Sequence, residues 1–285
     1  MSINLNQPKT LIFHPGIGKT ATSAIQTIGL ELPTNNSGQA CFSPYGVYGG
    51  AHNHFASVHP GFSPAIFEKE WKELLNFAVN RDASTIVSSE FLIRDNANHI
   101  GYMLKDALKS GLQVKVLFAI RDYTDYLKSA YLQAVKVQWG LRQNEHIFDF
   151  CHRELNQIRL PEKLDIWARH IGDENIYVKE FTRDSKDFVR SFFSDIDITL
   201  PDEISTNQKV NSSIPFEAAQ TLRAFDRVCN DVEKRKELIS FLSNIDYDGK
   251  HQQSVSNKIK KEITRNTYQH DCERLKARYQ WIENK

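Results

Sequence analysis

The chain has 285 residues with 36 Lys and Arg against 35 Asp and Glu, a formal net charge of +1, 40% hydrophobic and 25% charged residues. That is ordinary globular usage with enough length to bury a substantial core, and the near-zero net charge gives no global field to argue for a nucleic-acid partner. No run approaches the ~18 apolar residues of a membrane span, and residues 1–13 lack a basic stretch followed by a long apolar one, so the expectation is a cytoplasmic protein with no transmembrane segment. Cys41, Cys151, Cys229 and Cys272 are too far apart in sequence for a zinc site or a redox motif, and without an export signal they are expected to be thiols.

In chain order, short apolar runs alternate with helical patterns, the signature of a parallel sheet with helices on its faces. Residues 10–14 (TLIFH) read as a buried strand and about 20–30 as a helix. Residues 31–61, rich in Gly, Pro, Asn and His, read as an irregular region. Helical spacing over 66–79 puts Phe67, Trp71, Leu74, Leu75 and Ala78 on one face. A strand follows at 85–88 and a helix at 98–109, stopped at Gly111. The strongest strand is 114–120 (VKVLFAI), followed by a helix over 123–137 and a short strand at 175–178. Beyond it the chain reads as mostly helical, and the last thirty residues as a charged helix. Residues 201–213 are the best candidate boundary, yet the whole chain, 1–285, is expected to be one domain. It has a nucleotide-binding core at about 8–200 and a mostly helical C-terminal part at about 214–285.

The most informative segment is HPGIGKTATSAIQ, residues 14–26. A strand, a glycine-containing loop and a helix opening at Lys19-Thr20 aim backbone N–H groups and a helix dipole at one spot. Lys19 adds a charge, and Thr20, Thr22 and Ser23 add hydroxyls. The guest is an anion such as phosphate or sulfate. The nucleotide-triphosphatase loop G-x-x-x-x-G-K-[ST] shares Gly18-Lys19-Thr20, but its first glycine would fall on Phe13, and no strand ends in a clear magnesium-binding aspartate. The plainer alternative is a tight strand-to-helix turn with a solvated Lys19.

Lys19-Thr20-Ala21-Thr22-Ser23, together with Arg121 at a strand end and Ser129 eight residues later, resembles the sulfotransferases that use 3′-phosphoadenosine 5′-phosphosulfate (PAPS). Tyr131 and Gln133, the segment 164–181 with Trp167 and Gly172, and VNSS at 210–213 extend the likeness towards bacterial polysaccharide-modifying members, over most of residues 10–215. The resemblance implies a phosphate-loop-containing, sulfotransferase-like α/β fold with PAPS as cosubstrate and no metal. Gly18, Lys19, Thr20, Ala21, Thr22 and Ser23 would hold the 5′-phosphosulfate, and Arg121 and Ser129 the 3′-phosphate. The acceptor would be a carbohydrate or glycolipid hydroxyl. Ala21 stands where the family has glycine: alanine fits if its φ is negative and is strained if φ is positive.

For the base, Glu90 follows the strand at 85–88 and should face the crevice at the strand ends; a structural carboxylate is the alternative. His54, with His52 second, is the rival from the H-x-H pair in GGAHNHFA, since a neutral imidazole suits proton transfer. His14 reads as structural. Lys258, Lys260, Lys261 and Arg265 read as a solvated helix face, with a peripheral contact to a membrane or lipid-linked glycan as the sharper alternative. Two other functions stay open: a phosphate-loop kinase for a small metabolite, and a nucleotide-binding scaffold that has lost its chemistry.

Overall fold

The computed structural model describes residues 9–34, 40–138, 145–181, 188–201, 204, 214–247 and 250–283. The VNSS motif at 210–213 lies outside the described residues.

In chain order the elements are β1 (Thr10–His14), α1 (Thr22–Glu31), β2 (Cys41–Phe42), α2 (Pro64–Val79), β3 (Thr85–Ser88), α3 (Ala97–Lys109), β4 (Gln113–Ile120), α4 (Tyr123–Val137), α5 (Ile147–Ile158), α6 (Leu160–Ile171), β5 (Ile176–Glu180), α7 (Phe188–Asp195), α8 (Phe216–Asp226), α9 (Val232–Ser243), α10 (Lys250–Ile259), α11 (Thr267–Arg278) and β6 (Gln280–Ile282). The six strands form one parallel sheet in the order β2-β3-β1-β4-β5-β6. This is the expected α/β class, a central parallel sheet flanked by helices with a mostly helical C-terminal part.

The chain divides into two compact units, Met1–Arg121 with Ile158–Val210 and Asp271–Lys285, and Asp122–Gln157 with Asn211–His270. The whole sheet belongs to the first. Its central strands are buried on both faces, so they read as continuous apolar runs rather than alternating ones. On one face Ile12, Ile86, Leu117 and Ala119 pack with Ile25 and Ile28 of α1 and Phe192 and Phe193 of α7. On the other, Phe13 meets Trp71 of α2 at 6.4 Å and Trp167 of α6 at 5.3 Å between ring centroids. Lys179 of β5 is fully buried in this unit, where it bonds Asp195 and, at 2.8 Å, Ser191 Oγ.

In the second unit, Asp122 caps α4 by accepting from the N–H groups of Thr124 and Asp125. Tyr126 donates to Glu154 at 2.8 Å, and Arg235 of α9 reaches the carbonyls of Val135 and Lys136 as well as Asp226. Lys258, Lys260, Lys261 and Arg265 are exposed, with Lys258 Nζ 4.8 Å from the Phe148 ring centroid.

Two strands depart from expectation. β2 lies in the segment read as irregular, and β6 follows the charged helix at the chain's end. Both are edge strands of two and three residues, too short for a period-2 pattern to register. None of the four cysteines is in a disulfide. No helix among the described residues is long and apolar enough to cross a membrane.

Candidate anion-binding and transfer site

The chain leaves β1 in one direction across the sheet to β2 and β3, and returns past it to β4. The carboxyl ends of β1, β3 and β4 therefore lie side by side at the point where strand order reverses, the usual place for a ligand in an open parallel sheet. Three segments emerge there: the loop before α1, Ser89-Glu90 after β3, and Arg121 after β4.

The first half of the loop extends the sheet. Ile17 N–H donates to Ala119 O at 2.8 Å and Ala119 N–H to Gly16 O at 3.1 Å. The second half is pinned from inside: Thr20 Oγ1, fully buried, donates to Ile17 O at 2.6 Å, and Arg121 Nη1 donates to Lys19 O at 2.7 Å. Arg121 also lies over the Phe181 ring, 5.3 Å from its centroid.

Through this stretch the backbone alternates in hand. Lys19 has φ 66° and Ala21 φ 60°, with Thr20 between them and helical Thr22 after them on the negative side. Such alternation turns successive N–H groups to one side and makes a concavity for an anion. Ala21 is also the N-cap of α1 and offers no side-chain acceptor. The N–H groups of the first helical turn are thus left to a ligand or water. Of the two readings for Ala21, the strained one applies: left-handed φ at a residue with Cβ costs about 1–2 kcal/mol.

Glu90 sits directly on this loop. Thr22 Oγ1 donates to its Oε2 at 3.2 Å. A Cβ added to Gly18 would lie 2.7 Å from Oε2, so glycine at 18 is what lets the carboxylate approach. Gly18, Lys19, Thr20, Ala21, Thr22, Glu90 and Arg121 are therefore brought together, with Ser23 exposed on the first turn of α1. Two of the expected hydroxyl donors are already engaged: Thr20 with the loop carbonyl, Thr22 with Glu90. Ser129 is a half-buried residue of α4 in the second unit.

The two histidines of the H-x-H pair separate. His52 is fully buried. Its Nδ1 accepts from Ser88 N–H at 3.1 Å and its Nε2–H donates to Ser43 O at 3.0 Å, which fixes the tautomer and staples the chain beyond β2 to the end of β3. Burial, against smaller opposition from the Ser43 and Ser88 carbonyls beside the ring nitrogens, lowers its pKa to about 4. Both ring nitrogens are occupied by main chain. His54 is half-buried and stacks on Tyr48 with centroids 5.2 Å apart.

Sequence reading missed the layer behind Glu90. His14, buried with its pKa lowered by burial to about 3, meets Ser88 Oγ at 2.8 Å, and Gln26 Nε2 donates to the same oxygen at 3.1 Å. Ser89 Oγ donates to Asn53 Oδ1 at 2.7 Å. These bonds join β1, α1 and the 46–55 segment to the end of β3. They link residues 36 to 74 positions apart, and the only local hint was a run of serines at a strand end. Among the described residues no group of three or more His, Cys, Asp or Glu could hold a metal ion.

No protein-family profile matches the chain, and no curated protein matches it. Among solved structures it is similar to a sulfotransferase from Alicyclobacillus acidocaldarius, at a TM-score of 0.43 and 16% identity, over 81% of this chain and 99% of that one.

Proposed function

We propose that this chain is a sulfotransferase that moves a sulfuryl group from PAPS to a hydroxyl of a carbohydrate or glycolipid acceptor in the cytoplasm. One observation carries the reading: an uncapped, left-handed-alternating anion nest at the start of α1 has a carboxylate, Glu90, packed against it. The nest alone argues for binding. A carboxylate held beside an anion site, where it raises the cost of binding, argues for proton transfer.

The donor supplies an activated sulfuryl group when bound. The residues fit it. Lys19, the N–H groups of 20–24 and the Ser23 hydroxyl would hold the 5′-phosphosulfate, and negative charge on the leaving phosphate oxygen would be stabilised by Lys19 and the helix dipole. Arg121, a planar and permanently charged guanidinium, would bind the 3′-phosphate; Ser129 enters on the sequence resemblance alone. Glu90 would accept the proton of the attacking hydroxyl, a contribution of typically ~10²–10⁴-fold. His54 remains the rival base, and His52 has no ring nitrogen to spare for the role.

The kinase reading requires the threonine of Gly-Lys-Thr to offer its hydroxyl to Mg²⁺. Here Thr20 is fully buried and donates to Ile17 O. Calorimetric titration with adenosine 3′,5′-bisphosphate (PAP) and with ATP, each with and without Mg²⁺, tests the assignment on wild type, Arg121→Ala and Lys19→Met. Metal-independent PAP binding that both substitutions weaken supports it. Preference for Mg²⁺-ATP overturns it in favour of a kinase, and binding of PAP with no turnover on any acceptor favours the scaffold.

A further inference from the structure

The segment between β2 and α2 holds a group of rings that, with Glu90 as the base, the transfer chemistry above leaves unused. Tyr48 is 50% exposed, although it is large and sits next to the site. Its ring stacks on His54 at 5.2 Å with 20° between planes, and His59 meets it edge-on at 5.5 Å. His59 in turn lies 4.7 Å from Phe91, the residue after Glu90.

This exposed ring is rigidly held. Tyr48 N–H donates to Ala51 O at 2.8 Å and Ala51 N–H returns to Tyr48 O at 3.4 Å, closing a two-residue turn over Gly49 and Gly50. Their φ values of 61° and 80° are the left-handed pair that such a turn requires. Asn53 Nδ2 donates to Tyr48 O at 2.9 Å, and the same amide accepts from Ser89 Oγ. Ser89 Oγ also accepts from Phe91 N–H at 3.3 Å. Three side-chain bonds therefore connect the turn that presents Tyr48 to the residues on either side of Glu90.

We propose that Tyr48 and His54, with His59 and Phe91 beside them, form the docking face for the acceptor's ring, and that this ring is an uncharged pyranose with one hydroxyl directed at Glu90. The proposal rests on the transfer reading above for the role of that hydroxyl, but the docking face stands on its own geometry. An aromatic face supplies apolar contact at little entropic cost, while the Tyr hydroxyl and the Nε2 atoms of the imidazoles are its polar handles, His54 Nδ1 being buried and His59 Nδ1 accepting from Gly61 N–H at 3.0 Å. A pyranose matches both, with a C–H face to stack and hydroxyls around its edge. A phenol would spend its single hydroxyl on Glu90 and leave the handles unused. Burial and then His54 lower the pKa of His59, so the face favours an uncharged ring over an anionic one. A preformed platform also avoids the ordering cost that a mobile loop would charge against affinity.

Saturation-transfer NMR on the full chain tests this, with cellobiose, chitobiose and p-nitrophenol as probes, each with and without PAP. Transfer to the ring C–H protons of a disaccharide is expected. Its Kd should rise about tenfold in Tyr48→Ala, equivalent to ~1.4 kcal/mol, and stay near wild type in Tyr48→Phe. Gly61→Ala should also weaken binding, since its Cβ would lie 2.7 Å from Tyr48 Cε1. Binding of neither disaccharide, binding unaffected by Tyr48→Ala, or binding of p-nitrophenol alone would each overturn the proposal. The PAP titration on the same samples separates the two readings. Sugar binding lost with PAP binding kept removes the docking face alone; PAP binding lost with sugar binding kept removes the transfer reading alone.

Discussion

Two histidines buried as neutral imidazoles should make the sheet unit acid-labile. His14 and His52 are fully buried, with pKa values lowered from 6.5 to about 3 and about 4 by loss of solvation. In the unfolded chain both return to about 6.5. The unfolded state then binds more protons than the folded one between pH 6.5 and the folded values, and stability falls as pH is lowered through that window. Above pH 6.5 neither state is protonated and the contribution is complete. Each histidine costs about 1.4 kcal/mol per pH unit inside the window, so by pH 5 the loss is about 2 kcal/mol each and about 4 kcal/mol together. That is a large share of a stability of about 5–15 kcal/mol. Urea titrations at pH 7.5 and pH 5 measure it, read by the fluorescence of Trp71 and Trp167, both buried in the same unit as the histidines. His52→Gln is the decisive variant. Its amide can accept from Ser88 N–H and donate to Ser43 O as the imidazole does, yet it does not titrate. The variant should lose only about half as much stability between the two pH values, whatever its stability at pH 7.5. An equal acid loss in wild type and His52→Gln would refute the burial of a neutral imidazole at 52.

Two further substitutions test local energetics. Ala21→Gly should leave stability unchanged or raise it by up to about 1 kcal/mol, since relief of left-handed strain outweighs the added freedom of glycine in the unfolded chain. Ala24→Gly, two residues into the same helix at a buried position, should cost about 2 kcal/mol through helix propensity and a lost methyl; equal losses in thermal melts of the two variants would contradict the backbone at 21. Asp195→Ala should cost about 3–5 kcal/mol by leaving the Lys179 ammonium buried without its carboxylate. Lys179→Met combined with Asp195→Leu should recover most of that, and a double-mutant cycle showing no coupling would argue against the buried pair.

The sheet was legible because its central strands are buried on both faces and so carry unbroken apolar runs. β1 and β3 fall where TLIFH and TIVS stand, and β4 extends the expected VKVLFAI by one residue, Gln113. α4 was legible at both ends for the same kind of reason. It spans 123–137 as expected, and the structure adds Asp122 as its N-cap. What stayed hidden has no local pattern. β2 and β6 exist because β3 and β5 offer an unpaired edge, with Cys41 aligned to Thr85 and Gln280 to Tyr177. The division of labour between His52 and His54 was equally invisible. The two are two residues apart with identical chemistry, and only the position of Ser43 and Ser88 in space decides which ring is drawn inside.

The loop shows why the candidate site stands out. At two other helix starts in the sheet unit local rules agree with the fold: Pro64 opens α2, and Asn96 caps α3 by accepting from His99 N–H at 2.9 Å. Between residues 18 and 22 they are broken four times within five residues. Two non-glycine residues take left-handed φ, α1 begins without a cap, and a carboxylate rests on a glycine beside a nest of donors. The strained backbone and the missing cap have an energetic cost in the free protein that an anion in the nest offsets, because the N–H groups gain a partner and the alternating backbone is what aims them; the carboxylate of Glu90 opposes the anion, and the proposed proton transfer would account for it. Left-handed non-glycine residues also occur singly at Lys9, Gln138, Asp197 and Arg265, but between 18 and 22 two fall together beside an uncapped helix and a carboxylate, and clustering of that kind is what a functional site is expected to look like.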